Sequence, residues 1–302
     1  MISPLPFRKL ALTFSIVAAL ALTACSKPEP NTQANAEDPL PATQHAMDHD
    51  GMDMGESPDA MDPNMPMAQA SVDVVGEFGS GKPVKVTLHI TDMMSGKVMG
   101  PEAFEIAHTQ KVHVLGIDPS LTDYSHSHPV PTDKAGDWTF SFTPKFNRPY
   151  HLWLDVKAIG GKQEYVMFTI NEKGAAVPVE KLPALTAVVG NITASLSFDA
   201  PLVVGAPAMG HVNILRDGKP FASLEPVMGA YGHIVGISED WETISHVHPM
   251  GTEPSKENDR GGPMVDFHLE PKHAGFLKLF TQIQVDGKDV FLPFGVTVQP
   301  AK

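Results

Sequence analysis

The feature that most constrains this chain is that its body is written twice. Residues 108–129, HTQKVHVLGIDPSLTDYSHSHP, return as residues 228–249, MGAYGHIVGISEDWETISHVHP. His113, His126, His128 and Pro129 match His233, His246, His248 and Pro249, each 120 positions on. The likeness runs outward in both directions. His89 matches His211 at an offset of 122, with Gly96-Lys97 matching Gly218-Lys219 and Phe104-Glu105 matching Leu224-Glu225. After a seven-residue insertion in the second copy, YHLWLDVKAIGGKQEYVMF aligns with FLKLFTQIQVDGKDVFLPF at an offset of 126. Self-similarity of this length means two homologous domains. Their expected bounds are 71–175 and 183–300, joined by a linker over 173–184 that carries two prolines.

Each copy reads as β-structure. Val84, Val86, Leu88 and Ile90 alternate with Lys85, Thr87 and His89, and Tyr150, Leu152, Leu154 and Val156 repeat that period of two. Gly160-Gly161 and Asp286-Gly287 are hairpin-turn signals between apolar runs. The 28 prolines and 25 glycines favour turns over long helices. Six to eight short strands per copy are expected, the pattern of a sandwich. The expected fold is therefore all-β, two tandem homologous immunoglobulin-like β-sandwich domains. The strand pattern loosely resembles the YtkA-like group of small exported immunoglobulin-like modules, a resemblance that associates the copies with metal handling.

Ahead of the repeats lies an address. Arg8 and Lys9 precede an apolar run from Leu10 to Leu22, too short to span a bilayer comfortably but right for a signal-peptide core. The run ends in Leu22-Thr23-Ala24-Cys25, which resembles the bacterial lipobox. That resemblance implies a signal peptide over 1–24, lipidation of Cys25, and export to a membrane surface facing the periplasm. In the same resemblance, Ser26 after the cysteine implies transfer to the outer membrane. The body would then meet the membrane only through its lipid.

Residues 25–70 have almost no hydrophobic periodicity and read as a disordered tether. Its composition is odd for a solvated linker. Six of the chain's 15 methionines fall within residues 45–67, beside two His and five Asp. His45, Met47, His49, Met52 and Met54 open this stretch. Exposed thioethers gain nothing from water and oxidise easily, but they are soft ligands that suit Cu(I). The segment resembles the Met/His/Asp-rich stretches of bacterial periplasmic copper-resistance proteins. An acidic low-complexity tether is the plainer alternative.

The three-histidine sets are the candidate site. His126 and His128 are two apart, so on a strand both imidazoles leave the same face. The turn-like DPSLTDY between them and His113 folds the two segments into a hairpin that brings His113 opposite the pair. Three imidazoles at such spacings can converge on one ion. His233, His246 and His248 repeat the arrangement. His113 also shares its strand face with Leu115 and Ile117, so a structural role at a core edge is the competing reading. His89 and His211 are weaker candidates, as are His108 and Met228, which occupy equivalent positions five residues before the first ligand of each set.

Composition narrows the chemistry. The formal charge of −13 argues against nucleic acid, whose phosphates call for a basic footprint. Cys25 is the only cysteine, so neither a thiolate cluster nor a blue-copper centre is available. Copper, as Cu(I) or Cu(II), is the expected metal, with zinc the alternative. The expected role is buffering, resistance or delivery of copper, with an efflux or oxidase-assembly protein as partner and no catalysis. Two other classes stay open. One is a tandem surface or interaction module with structural histidines; the other is a three-histidine zinc hydrolase, for which Glu105 and Glu225 are the only aligned acidic pair.

Overall fold

The computed structural model describes residues 67–174, 177–247 and 249–301. The signal segment, Cys25, the tether ligands His45, Met47, His49, Met52 and Met54, and His248 lie outside the described residues. Both repeats belong to one unit, Ala60–Lys302. Among the described residues the only helical element is a 3-10 turn at Pro101–Ala103.

The first repeat contains β1 (Ala68–Val75), β2 (Val84–Asp92), β3 (Val112–Ile117), β4 (Tyr124–Ser127), β5 (Val130–Pro131), β6 (Asp137–Phe142), β7 (Tyr150–Lys157) and β8 (Gln163–Ile170). The second contains β9 (Thr186–Val189), β10 (Ile192–Phe198), β11 (Ala208–Arg216), β12 (Lys219–Pro220) and β13 (His233–Ser238). It continues with β14 (Ile244–Val247), β15 (Pro249–Met250), β16 (Met264–Leu269), β17 (Gly275–Val285) and β18 (Lys288–Val298). The first strand starts at Ala68, three residues inside the stretch expected to be tether.

Each repeat is an immunoglobulin-like sandwich of two sheets. In the first, an outer sheet ordered β1-β2-β6-β5 covers an inner sheet ordered β4-β3-β7-β8. In the second, β15-β16-β11-β10-β9, with β12 beside β11, covers β14-β13-β17-β18. The outer strands obey the period of two seen in the sequence. In β2, Val84, Val86, Leu88 and Ile90 are buried while the residues between them are not. Alternation of this kind belongs to a sheet with one wet face.

The inner sheets do not follow that rule, and the exception positions the site. Every residue of β3 and of β13 is buried. On β3, Val112 and Val114 enter the core of the first sandwich, whereas Leu115 and Ile117 point the other way. There they join Leu121, Tyr124 and Trp153 of the first repeat and Val235, Ile237, Phe276 and Phe280 of the second in a third hydrophobic core. The two inner sheets thus face each other across the repeat boundary. Tyr124 and Phe280 stack at 4.6 Å with 14° between their planes. Each large side chain removed from water here contributes about 1.5–3 kcal/mol before entropy is counted. Trp241 and Leu121 sit at equivalent loop positions, with φ of 61° and 60°, and both turn into this layer.

The strand register corrects one alignment. His113 lies opposite Asp155 on β7, and His233 lies opposite Gln282 on β17. The structural offset between β7 and β17 is therefore 282 − 155 = 127, not 126. Pairing the aromatics Tyr150 and Phe276 suggested the shorter offset. Those two residues occupy opposite faces, since Tyr150 enters the first sandwich core and Phe276 the layer between repeats. A slip of one residue exchanges the two faces of a strand.

Candidate metal site at the repeat boundary

The expected hairpin forms. Antiparallel pairing of β3 and β4 sets Val114 opposite Ser127 and Leu115 opposite His126. His113, His126 and His128 thereby share the face that looks toward the other repeat. One ring nitrogen from each can be chosen so that all three lie within 4.8 Å of one another. The site is deeply placed, with His113 only 1% exposed.

What the sequence did not show is that His233 and His246, the described members of the second set, come to the same place. His113 and His126 have ring centroids 5.6 and 5.3 Å from that of His246. His108 lies 4.7 Å from His246 and 5.1 Å from His233. Met228 Sδ is 3.1 Å from His128 Nε2. Among the described residues, the histidines of the two sets form one cluster rather than two remote ones.

The outward-facing nitrogens are held by oxygen acceptors. His113 donates from Nε2 to the Ala107 carbonyl at 2.9 Å. His126 donates from Nδ1 to Gln282 Oε1 at 2.9 Å, and His246 donates from Nδ1 to Asp155 Oδ2 at 2.8 Å. His233 donates from Nε2 to the Met228 carbonyl at 3.2 Å. Such partners fix the tautomer, because carbonyl, amide and carboxylate oxygens only accept. In the neutral rings the remaining nitrogens carry lone pairs. His113 Nδ1 and His126 Nε2 then face each other at 3.1 Å, acceptor against acceptor. The His246 side chain is closed to solvent, and its Nε2 has no hydrogen-bond partner among the described residues.

For the first set, burial favours the neutral form of the rings. Burial, the largest influence, pushes His113 below its usual range, outweighing the opposing pull of the Ala107 carbonyl and Asp155. Burial and the neighbouring His246 hold His126 well below that range. His128 is lowered to about 4, again chiefly by burial. Close-packed neutral imidazoles with their outer nitrogens fixed are the donor set that zinc, Cu(II) and Cu(I) accept. A cavity of about 450 Å³ lined by His126, Ser127, His128 and Lys85 opens beside the first set.

His89 and His211 do not join the cluster. Both lie on outer sheets, with each ring nitrogen already engaged by a carboxylate. His89 contacts Asp137 at 2.7 Å and Asp73 at 3.0 Å; His211 contacts Asp266 at 2.8 Å and Asp199 at 3.0 Å. These bonds, led by Asp137 and Asp266, raise both histidines above their ordinary range. A ring with both nitrogens spoken for makes a poor ligand. Glu105 and Glu225 are also occupied away from the cluster. Glu105 pairs with Lys157 at 2.6 Å, and Glu225 accepts from the Gly287 amide at 2.7 Å. The acid that does reach the site, Asp155, was missed along with Gln282. Their signal was the register opposite the first histidine of each set, hidden by the one-residue alignment error. His151, which has no histidine counterpart in the second repeat, is half-buried and stacks on Trp241 of that repeat at 4.8 Å.

Fold and site together define a tandem immunoglobulin-like protein with a histidine cluster built between its repeats. The chain belongs to the family described as "Domain of unknown function (DUF8832)", whose model matches residues 67–174 and 187–300. No curated protein is similar to the chain. Among solved structures, the D00-D0 domain of intimin is 10% identical, with 76% of this chain and 99% of that chain covered and a TM-score of 0.23. MtrC from Shewanella baltica OS185 is 6% identical, with 78% and 70% covered and a TM-score of 0.24. Rst D1-D2 is 11% identical, with 76% and 99% covered and a TM-score of 0.21. Scores this low carry nothing about function.

Proposed function

We propose that this protein binds copper, or a related transition metal, in the histidine cluster between its two repeats, and that it works as an exported, lipid-anchored buffer or carrier. The observation that carries the reading is the convergence of ring nitrogens from His113, His126 and His128 within 4.8 Å of one another, with His113 Nδ1 and His126 Nε2 3.1 Å apart and set as opposed acceptors by their outer hydrogen bonds. Two acceptors at that distance repel unless a proton or a metal ion lies between them, and burial disfavours the proton. The lipobox-like Cys25 and the Met-rich segment over 45–67 support the exported, copper-facing part of the reading. In this scheme the Met-rich segment captures metal weakly and passes it to the cluster. A copper efflux or oxidase-assembly protein would receive it.

A tandem surface or interaction module is the second reading. It is favoured by the apolar layer between the inner sheets, which joins the repeats without any metal, and by the oxygen acceptors that already hold the outer nitrogens. Metal analysis of the purified full chain separates the two. Copper retained by the native protein and lost in His126→Ala and in His246→Ala supports the metal site. No retained metal, with those variants altering stability alone, supports the module. Retained zinc with hydrolytic turnover would instead revive the zinc-enzyme reading.

A further inference from the structure

We infer that each repeat lends a ligand across the boundary, so that the cluster holds two unlike metal positions: His113, His126 and His128 with the thioether of Met228, and His233 and His246 with the imidazole of His108. The inference rests on the metal reading above and specifies which ions the two positions prefer.

His108 and Met228 stand at the same place in their repeats, five residues before His113 and His233. Both adopt the left-handed backbone region, with φ of 47° and 50°. Both sit in the same tight turn, closed by the pairs Ala107↔Gln110 and Val227↔Ala230. A methionine is uncommon in that conformation, yet both repeats keep it. Its result is to send each side chain across the boundary. Met228 of the second repeat reaches His128 of the first, with Sδ at 3.1 Å from Nε2. His108 of the first repeat reaches His233 and His246 of the second. In a plain packing role, Met228 would lie in an apolar pocket. Instead its sulfur meets a ring nitrogen beside two further imidazoles whose nitrogens already converge.

The exchange makes the positions chemically different. Three imidazoles and a thioether favour a soft monovalent ion, Cu(I) or Ag(I). An all-imidazole set suits Cu(II) or Zn(II). Neither repeat alone carries a complete set, so the two must be joined for either preference to appear.

The test uses the full chain labelled with ¹³C at the methionine methyls and titrated with Ag(I). The Met228 signal is assigned by its loss in Met228→Leu, or in Met228→His should the first variant not fold. Methionines of the 45–67 segment report as separate signals. We expect the Met228 methyl to shift together with the ring signals of His126 and His128. We further expect Met228→His to bind Ag(I) at least tenfold more weakly and Zn(II) more tightly. If Ag(I) moves the His126 and His128 rings while the Met228 methyl stays still, the exchanged-ligand inference fails and the metal reading survives. If Ag(I), Cu(I) and Zn(II) all leave the rings unmoved, both fail.

Discussion

His246 of the second repeat donates from Nδ1 to Asp155 of the first at 2.8 Å, and both side chains are shut away from water. Its counterpart crosses the boundary the other way: His126 of the first repeat donates to Gln282 of the second at 2.9 Å. Asp155 and Gln282 occupy one register position in the duplicated sheet, each directly opposite the first histidine of its own set. Each repeat therefore orients the other's imidazole. One does so with a charge and the other with a neutral amide. Asp155 is itself steadied by the Gln163 amide, which donates to Oδ1 at 2.7 Å.

That difference gives the first prediction. Asp155→Ala leaves His246 Nδ1 buried without an acceptor and should cost about 2–4 kcal/mol. Gln282→Ala removes a neutral partner from His126 and should cost about 1–2 kcal/mol. Urea denaturation of the metal-free protein measures both. Equal losses in the two variants would mean that the carboxylate contributes nothing beyond what an amide supplies.

Acid should destabilise the metal-free protein, and the sign follows from which histidines are buried. His113, His126 and His128 have folded pKa values below the ordinary 6.5, with His128 at about 4. The unfolded chain therefore binds more protons between those values. The stability these neutral rings allow is complete above about pH 6.5 and is lost as pH falls toward 4. For His128 alone, which keeps one side toward solvent, the loss is about 2–3 kcal/mol at most. His89 and His211 act in the opposite sense, since their raised values add stability below pH 6.5 that is lost as pH climbs through the folded values. The leading acceptors Asp137 and Asp266 are 12% and 45% exposed, the second acceptors Asp73 and Asp199 are 74% and 69% exposed, and both rings are 27% exposed, so solvent screens most of that contribution. The three buried rings win. Thermal unfolding followed from pH 7.5 to 4 should show a falling midpoint, and a midpoint that rises on acidification would refute the assignment.

The sequence disclosed the sandwiches readily, because β2 and β11 are wet on one face and their alternation survives in the letters. It disclosed the His113–His126–His128 hairpin for the same reason, since a turn of the right length separates the strands. The meeting of the two sets was harder to see. Continuous burial on β3 and β13 says that both faces are covered, but it does not name the cover. Leu115 and Ile117 looked like residues of their own core and prove to belong to the layer between repeats. Asp155 and Gln282 were hidden by the one-residue register error, which put Thr281 where Gln282 belongs.

The glycines of the site strands should respond unequally to the same substitution. A Cβ on Gly116 of β3 would meet Leu152 Cδ2 and Ser125 Oγ at 2.6 Å, whereas the nearest atom at Gly236 of β13 is Leu279 Cδ2 at 3.1 Å. Gly116→Ala must displace the Leu152 and Ser125 side chains, the second next to His126 on β4. It should destabilise by about 1–3 kcal/mol, while Gly236→Ala, with more room, should cost less. Paired denaturation curves decide this, and an equal or larger loss at Gly236 would show that the Leu152 and Ser125 side chains yield freely.

The boundary layer itself predicts how a single repeat behaves. Residues 67–174 expressed alone would uncover Leu115, Ile117, Leu121, Tyr124 and Trp153 as one apolar face. A patch of this kind on a soluble domain is normally covered by a partner. The second repeat covers it with the equivalent strands β13 and β17, so the native contact resembles an isologous interface between two copies of one fold. A second copy of the first repeat offers the same strands. The lone repeat should therefore form a homodimer, visible by sedimentation, and Leu115→Asp should abolish it. A folded, strictly monomeric lone repeat would show that the face needs no cover. The homodimer would also bring two His113–His126–His128 sets together with His108 as the crossing ligand in both directions, since Met228 belongs to the repeat left out. It should then bind Zn(II) but lose the preference for Ag(I) expected of the full chain.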